Sequence, residues 1–257
     1  IEGVMQALMS ETDLELAKSS FESNLKLIDG FLKLKPDDHE LLKLGSQGYA
    51  GYALIYTDEL TSVRGSHFYD RALGYGLRAL STAGYNFNEP GLSFKEFKEE
   101  VSRLKRRDII TVYWTAVAWA GKINLNRRSA SAIAEFPRVL LMMEWVLERD
   151  PHFFYSGPLW FFGSYYASIP EMLGGGTKHA KLYFERAIEA DGHRFLLGKV
   201  WFAENFSTQN LDRMQFLNTL EEVVFGSENE PSDLRLLNSY AQQKAAILIS
   251  QVDAIFD

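Results

Sequence analysis

Apolar residues recur every three or four positions along almost the whole chain. Between 13 and 35 the stripe runs Leu14, Ala17, Phe21, Leu25, Ile28 and Leu32, the spacing of one buried helix face. Thr12 or Asp13 supplies a cap at its start, and Pro36 closes it, because a residue before proline is pushed out of the helical region. The same reading predicts helices near 39–58, 66–81, 93–104, 108–123, 129–149, 158–168, 177–190, 194–205, 210–225 and 231–256. A loop with Asn86, Asn88, Pro90 and Gly91 interrupts them. Alternating β-branched runs bounded by turns do not occur in series, so the expected class is all-α.

The helix breakers expose a repeat. Phe31, Ile28 and Asn24 lie five, eight and twelve residues before Pro36. Ala79, Gly76 and Ala72 hold the same offsets from Gly84, as Val146, Met143 and Val139 do from Pro151. Ala187, Phe184 and Ala180 hold them from Gly192, which reads A-x3-F-x2-A-x4-G, close to the second-helix half of a tetratricopeptide repeat. Small residues let a paired helix approach, an aromatic fills the space between helices, and the breaker turns the chain. The expectation is an array of about four degenerate tetratricopeptide-like helix pairs plus a C-terminal helix (an α-α superhelix), one domain over 1–257 with 1–12 as a tether. Stacked pairs of this kind leave a concave binding surface.

Three consecutive glycines, Gly174 to Gly176, are the natural place to look for a phosphate loop. The text GGGTKHAK puts Thr177 before Lys178, the reverse of G-x-x-x-x-G-K-[ST], and a helix rather than a strand precedes it. The structural reading is a wide turn after Pro170 with Thr177 capping the next helix; the alternative is a weak anion site at Thr177. The histidines 39, 67, 152, 179 and 193 include no i, i+4 pair and no H-E-x-x-H, so no metal is expected. LGSQGYAGYA and GYGLRALSTAG hold serines near glycines without forming G-x-S-x-G. Glu99–Glu100 and Glu221–Glu222 are adjacent pairs that point to different helix faces.

Composition narrows the function further. A net charge of −7 argues against nucleic acid as a partner, and the one basic cluster, RLKRR at 103–107, reads as a solvated helix end. With no cysteine there is no thiol catalysis, thiolate metal site or disulfide. No run of 18 apolar residues suggests a membrane span. The start at Ile1-Glu2 is read as a trimmed form, with any lipid-bearing segment removed. Aromatics, at 14 %, are the richest chemistry. Tyr49, Tyr52 and Tyr56 share one helix face; Tyr113, Trp114, Trp119 and Asn124 lie in VYWTAVAWAGKINLN; Trp160, Tyr165 and Tyr166 lie in GPLWFFGSYYA. Core packing accounts for most of these rings, but with Lys199 and Asn205 such a set could line a pocket for an apolar or amphipathic ligand.

These strings also carry a family resemblance. GYAGYA (48–53), RALGYGLRAL (71–80), VYWTAVAWAGKINLN (112–126), FPRV with MMEWVLERDP (136–151), YYASIPEMLGGGTKHAKLYFERAI (165–188) and FLLGKVWFAENF (195–206) resemble the T component (TatT) associated with tripartite ATP-independent periplasmic (TRAP) transporters. The resemblance implies a periplasmic, tetratricopeptide-like scaffold without catalytic residues or cofactors. It implies a partner, the solute-binding protein of the transporter, and help in passing an apolar or organic-acid ligand to the membrane permease. It also implies self-association, with a trimer as the guess, and membrane attachment only through an N-terminal lipid anchor absent from this chain. Tyr49, Tyr52, Trp114, Trp119, Asn124, Trp160, Tyr166, Met172 and Lys199 sit in the matched strings as fold markers and as candidate pocket or partner surface. The alternative is a stand-alone carrier of a lipid-like molecule in an aromatic-lined pocket; an α-helical enzyme has no motif behind it.

Overall fold

A computed structural model describes residues 2–56, 62–87, 91–226 and 231–257. The helices are α1 (Glu2–Met9), α2 (Leu14–Leu34), α3 (His39–Ile55), α4 (Ser62–Thr82), α5 (Phe94–Arg103), α6 (Ile109–Leu125), α7 (Ala130–Ala134) and α8 (Phe136–Arg149). They continue as α9 (Phe153–Ser168), α10 (Thr177–Asp191), α11 (Leu196–Phe202), α12 (Arg213–Val224), α13 (Arg235–Ser250) and α14 (Val252–Phe256). No strand occurs among the described residues, so the chain is all-α. It divides into two compact units, Ser19–Arg149 and Ile1–Lys18 with Asp150–Asp257.

In the first unit α3 pairs with α4 and α6 with α8, and α6 also packs on α3 and α4. In the second α9 pairs with α10 and α12 with α13, while α11 packs on α13. This pairing of consecutive helices fits a helical-repeat superhelix. Three of the four offset sets supply buried contacts: Ala72, Gly76 and Ala79; Val139, Met143 and Val146; Ala180, Phe184 and Ala187. In the first set only Ile28 is buried: Phe31 is exposed, and α2 buries Leu25 and Leu32 beside Ile28. Where helices approach, glycine makes room. A Cβ on Gly76 would meet Thr115 and lie 2.8 Å from the Ser46 hydroxyl; one on Gly163 would lie 2.7 Å from the Phe184 ring.

Several helix ends differ from the sequence reading. Asp13 caps α2, its carboxylate accepting from the amides of Glu15 and Leu16 at 3.0 Å. Residues 2–9, expected as a tether, form α1, whose Leu8 is buried; α1 packs on α13. The α4 helix begins at Ser62, a turn earlier than expected. The single helix expected over 129–149 is split after Ala134, since Pro137 removes an amide and its ring would clash with the carbonyl of Ile133. A second proline acts similarly in α9: Pro158 follows Phe154, Tyr155 and Ser156, whose φ angles of 46°, 53° and 61° are left-handed. The segment expected over 194–205 is α11 followed by a π-turn, Ala203–Ser207. The end expected at Asp58 and the loop residues Asn88 and Pro90 lie outside the described residues.

The three glycines close a turn. Gly174 and Gly176 hold φ angles of 85° and 95°, which favour glycine. Their amides and that of Gly175 donate to the carbonyls of Glu171, Tyr166 and Pro170, at 3.0, 2.9 and 3.2 Å respectively. The chain itself uses all three amides, so they do not cradle an anion. Thr177 does not cap α10. Gly176 occupies the cap position, and the Thr177 hydroxyl donates to Asn210 Oδ1 at 2.6 Å.

Gly163→Ala forces its methyl against Phe184 and is expected to destabilise the protein by about 1–3 kcal/mol. Urea unfolding followed by circular dichroism measures this, and an unchanged midpoint would show that α9 and α10 are not in tight contact there.

Candidate functional site

In the unit Ser19–Arg149 the face of α3 carrying Tyr49, Tyr52 and Tyr56 is buried, and the three rings are at most 2 % exposed. Their tips do not all end in apolar core. The Tyr49 hydroxyl donates to Asp29 of α2 at 2.8 Å, and the Tyr52 hydroxyl donates to Glu22 of α2. Arginines on α4 complete each contact. Arg71 donates to Asp29 at 2.8 Å and to the Tyr49 oxygen at 2.8 Å, and Arg64 donates to Glu22 at 2.8 Å. Tyr75 and Lys26 add further donors to Asp29, at 2.8 and 3.0 Å.

The result is two clasps of one design, each made of a tyrosine from α3, a carboxylate from α2 and an arginine from α4. Glu22 and Asp29 are separated by seven residues, as are Arg64 and Arg71, so each pair shares a helix face two turns apart. Aromatic packing holds the clasps in place. Tyr52 stacks on Phe68 at 5.0 Å, Tyr49 tilts against Phe68 at 5.5 Å, and Arg71 lies over the Tyr49 ring at 5.1 Å. Between the clasps lies an open pocket of about 360 Å³, lined by Leu25 and Lys26 of α2, Tyr49 of α3, and Arg64, His67, Phe68 and Arg71 of α4, with Glu22 at one end.

The electrostatics follow from burial and donors. Burial raises the proton affinity of Asp29, but the hydrogen bonds from Tyr49, Lys26 and Tyr75 and the Arg71 charge outweigh it and hold the carboxyl below its ordinary range. Burial, and then the Glu22 carboxylate, push the Tyr52 phenol well above its usual range. Asp29 is therefore an ionised acceptor and both phenols are neutral donors at neutral pH.

The other nominated residues of this unit lie elsewhere. Tyr113 and Trp114 are buried on α6 with their rings edge to face at 5.2 Å, and Trp114 reaches 3.8 Å from the Cβ position of Gly51. Trp119 is half-buried against Phe97, with ring centres 5.9 Å apart. Asn124 is exposed and accepts from Arg127 at 2.5 Å.

The remaining nominees belong to the unit Ile1–Lys18 with Asp150–Asp257. Trp160 is buried against Phe184 and Phe195, its indole donating to the Tyr155 carbonyl at 2.9 Å. Tyr165 and Tyr166 are half-buried; Tyr166 stacks on Tyr183 at 5.3 Å. Met172 is 96 % exposed in the turn after α9. Lys199 is buried but paired with Glu222 at 2.8 Å, and Asn205 donates to the Trp201 carbonyl at 2.9 Å. One group here has the residue types of a hydrolytic triad: His152 Nδ1 lies 3.2 Å from the Ser156 hydroxyl, which donates to Asp191 at 2.5 Å. Ser156 is fully buried and donates directly to the acid, so the group pins the left-handed turn rather than presenting a nucleophile. No group of three or more metal-ligating side chains occurs among the described residues.

A family model described as the TRAP transporter T-component matches residues 10–256, nearly the whole chain. The chain belongs to the TRAP transporter T-component family. It is also 26 % identical over 264 residues to an uncharacterized protein of Treponema pallidum (strain Nichols), covering 96 % of this chain and 81 % of that one. Among the described residues of this T component, no helix is long and apolar enough to cross a membrane.

Sequence reasoning nominated Tyr49 and Tyr52 but not Glu22, Lys26, Asp29, Arg64, His67, Phe68 or Arg71. The usable signal was the matched seven-residue spacing of acids in one helix and arginines in another.

Asp29→Asn tests the larger clasp. Because folding lowers the Asp29 pKa, its stabilisation is present above the unfolded value near 3.9 and is lost as pH falls through the folded value. The variant is expected to be less stable by about 1–3 kcal/mol at pH 7, with the deficit shrinking below about pH 4. Urea midpoints at pH 7 and pH 3 measure it, and an equal deficit at both would refute an ionised Asp29 in the clasp.

Proposed function

We propose that this protein is a periplasmic scaffold that binds the solute-binding component of a TRAP transporter and helps pass an apolar or organic-acid ligand toward the membrane permease. The observation that carries the reading is membership of the T-component family over residues 10–256. The architecture supports it, since paired helices of repeat type present surfaces that bind other proteins. In this reading the protein works by docking, without catalysis, and as a homo-oligomer for which a trimer is the first stoichiometry to test. Its membrane attachment is through a lipid on a preceding segment.

A second reading, a stand-alone carrier of a lipid-like molecule, draws on the half-buried rings around Tyr165 and Tyr166. Mass spectrometry of solvent extracts from purified protein separates the two, because a carrier retains an apolar molecule.

Sedimentation velocity of the protein, alone and with the solute-binding protein of its transporter, tests the first reading. The expected result is a species larger than a monomer that grows on adding the partner. A monomer whose sedimentation the partner leaves unchanged would overturn it.

A further inference from the structure

We propose that an uncharged face of α2 is the contact surface for a second copy of this chain, the two helices packing antiparallel about a two-fold axis at Leu27. The contact closes at two chains, so it is separate from any three-fold association. It does not rest on docking to another protein or on passing a ligand.

The first argument is how α2 divides its surface. At about 100° per residue, the part of α2 in the unit Ser19–Arg149 has three faces. Phe21, Leu25, Ile28 and Leu32 point to the core. The charged residues of this stretch, Glu22, Lys26, Asp29 and Lys33, fall within an arc of about 60° on the clasp side. Ser20, Ser23, Asn24, Leu27, Gly30, Phe31 and Leu34 fill a separate arc of about 120° that holds no charge. Leu27, Phe31 and Leu34 are 58 %, 52 % and 80 % exposed, and a Cβ on Gly30 would meet nothing within 4 Å, so this arc is open. A solvated helix face ordinarily carries charge, and an exposed apolar strip without it marks an interaction surface.

The second argument is the order of sizes along the strip, which names the occupant. Antiparallel pairing of α2 with itself at Leu27 sets positions equally far before and after Leu27 against each other. Asn24 then meets Gly30, Ser23 meets Phe31, and Ser20 meets Leu34. Off the axis every large apolar side chain faces a serine, the alternation of large and small that lets two surfaces interdigitate. A two-fold contact must be complementary to itself in this way. Its polar content is compatible with burial, since the Ser23 hydroxyl already donates to the Ser19 carbonyl at 2.9 Å. Charge is the third argument. The protein carries −7, so two copies repel each other, and a face without charge is where that repulsion opposes contact least. Size sets the strength. A strip about 21 Å long and about 10 Å wide lies below the roughly 1,200 Å² of a standard interface, which makes this a weak dimer.

The chain has no cysteine, so single introduced cysteines report the register cleanly. The test oxidises Leu27→Cys, Ser23→Cys and Phe31→Cys with glutathione disulfide and separates the products by non-reducing electrophoresis. On the axis two copies of position 27 come within the roughly 7 Å between Cα atoms that a disulfide spans, so Leu27→Cys is expected to link to itself. Two copies of position 23, or of position 31, stand about 12 Å apart along the helices and should not link alone. An equimolar mixture of Ser23→Cys and Phe31→Cys should give the mixed dimer. In sedimentation equilibrium the unsubstituted chain is expected to pair with a dissociation constant of about 0.1 mM. Leu27→Glu, at an exposed position, should weaken that pairing by at least about tenfold. Failure of Leu27→Cys to link, equal self-linking of Ser23→Cys and Phe31→Cys, or no mixed dimer would each overturn the proposal. An oligomer that Leu27→Glu leaves unchanged, a trimer included, defeats this inference and leaves the scaffold reading standing. Loss of the complex with the solute-binding protein in Leu27→Glu, with Leu27→Cys unlinked, would assign the strip to that partner and overturn the proposal. Linking in the expected register without any such complex supports the pairing and defeats docking.

Discussion

Close approach of helix backbones is the constraint on which the rest of the structure depends. Gly76 lets α4 reach Thr115 of α6 and Ser46 of α3, and Gly163 lets α9 reach the Phe184 ring of α10. Ala72, Ala79, Ala180 and Ala187 extend the same seams and are fully buried. At such points a glycine makes room for a side chain of the facing helix, as Gly163 does for Phe184 and Gly198 for Trp160. Tyr49, Tyr52 and Trp160 are buried yet carry a polar tip that must find an acceptor or donor.

The two clasps answer that requirement in the unit Ser19–Arg149. A phenol buried to within a few per cent cannot leave its hydroxyl without a partner at little cost, and a carboxylate drawn toward it from α2 cannot sit there without a cation. The arginines of α4 supply the cation, and the rings of Tyr49 and Phe68 hold the arginines flat. Because Glu22 and Asp29 are two helical turns apart, and Arg64 and Arg71 match that separation, the arrangement occurs twice and flanks an open pocket. The polar chemistry of the pocket is thus a by-product of how three helices pack.

The unit Ile1–Lys18 with Asp150–Asp257 solves the same problem differently. Its glycine turn spends its amides on its own carbonyls, and the left-handed residues before Pro158 are held by Ser156 on Asp191 and by Tyr155 on Asp233 at 2.5 Å each. Motifs that look chemical in the sequence are here the means of turning a helical chain sharply without leaving polar groups stranded. For a member of the T-component family this distribution is informative: the segments richest in glycine and strained backbone shape the scaffold, and the open polar pocket lies on regular helices.

Periodicity alone determined the helical class, the order of most helices and three of the four repeat-spaced sets as buried contacts, because a 3.6-residue repeat is a local property of the chain. The same reasoning explains its errors. Phe31 has the right offset from Pro36, but α2 turns that position outward, and burial of a helix face depends on a neighbour that spacing does not name. Tyr49 and Tyr52 were legible as a shared face, and their partners were not. Glu22, Asp29, Arg64 and Arg71 look like ordinary solvated charges one at a time, and residues some 20 to 40 positions apart meet only when α2, α3 and α4 are laid side by side. Tertiary structure decided which charges meet, since Coulombic and hydrogen-bond energies depend on distance in space and not along the chain.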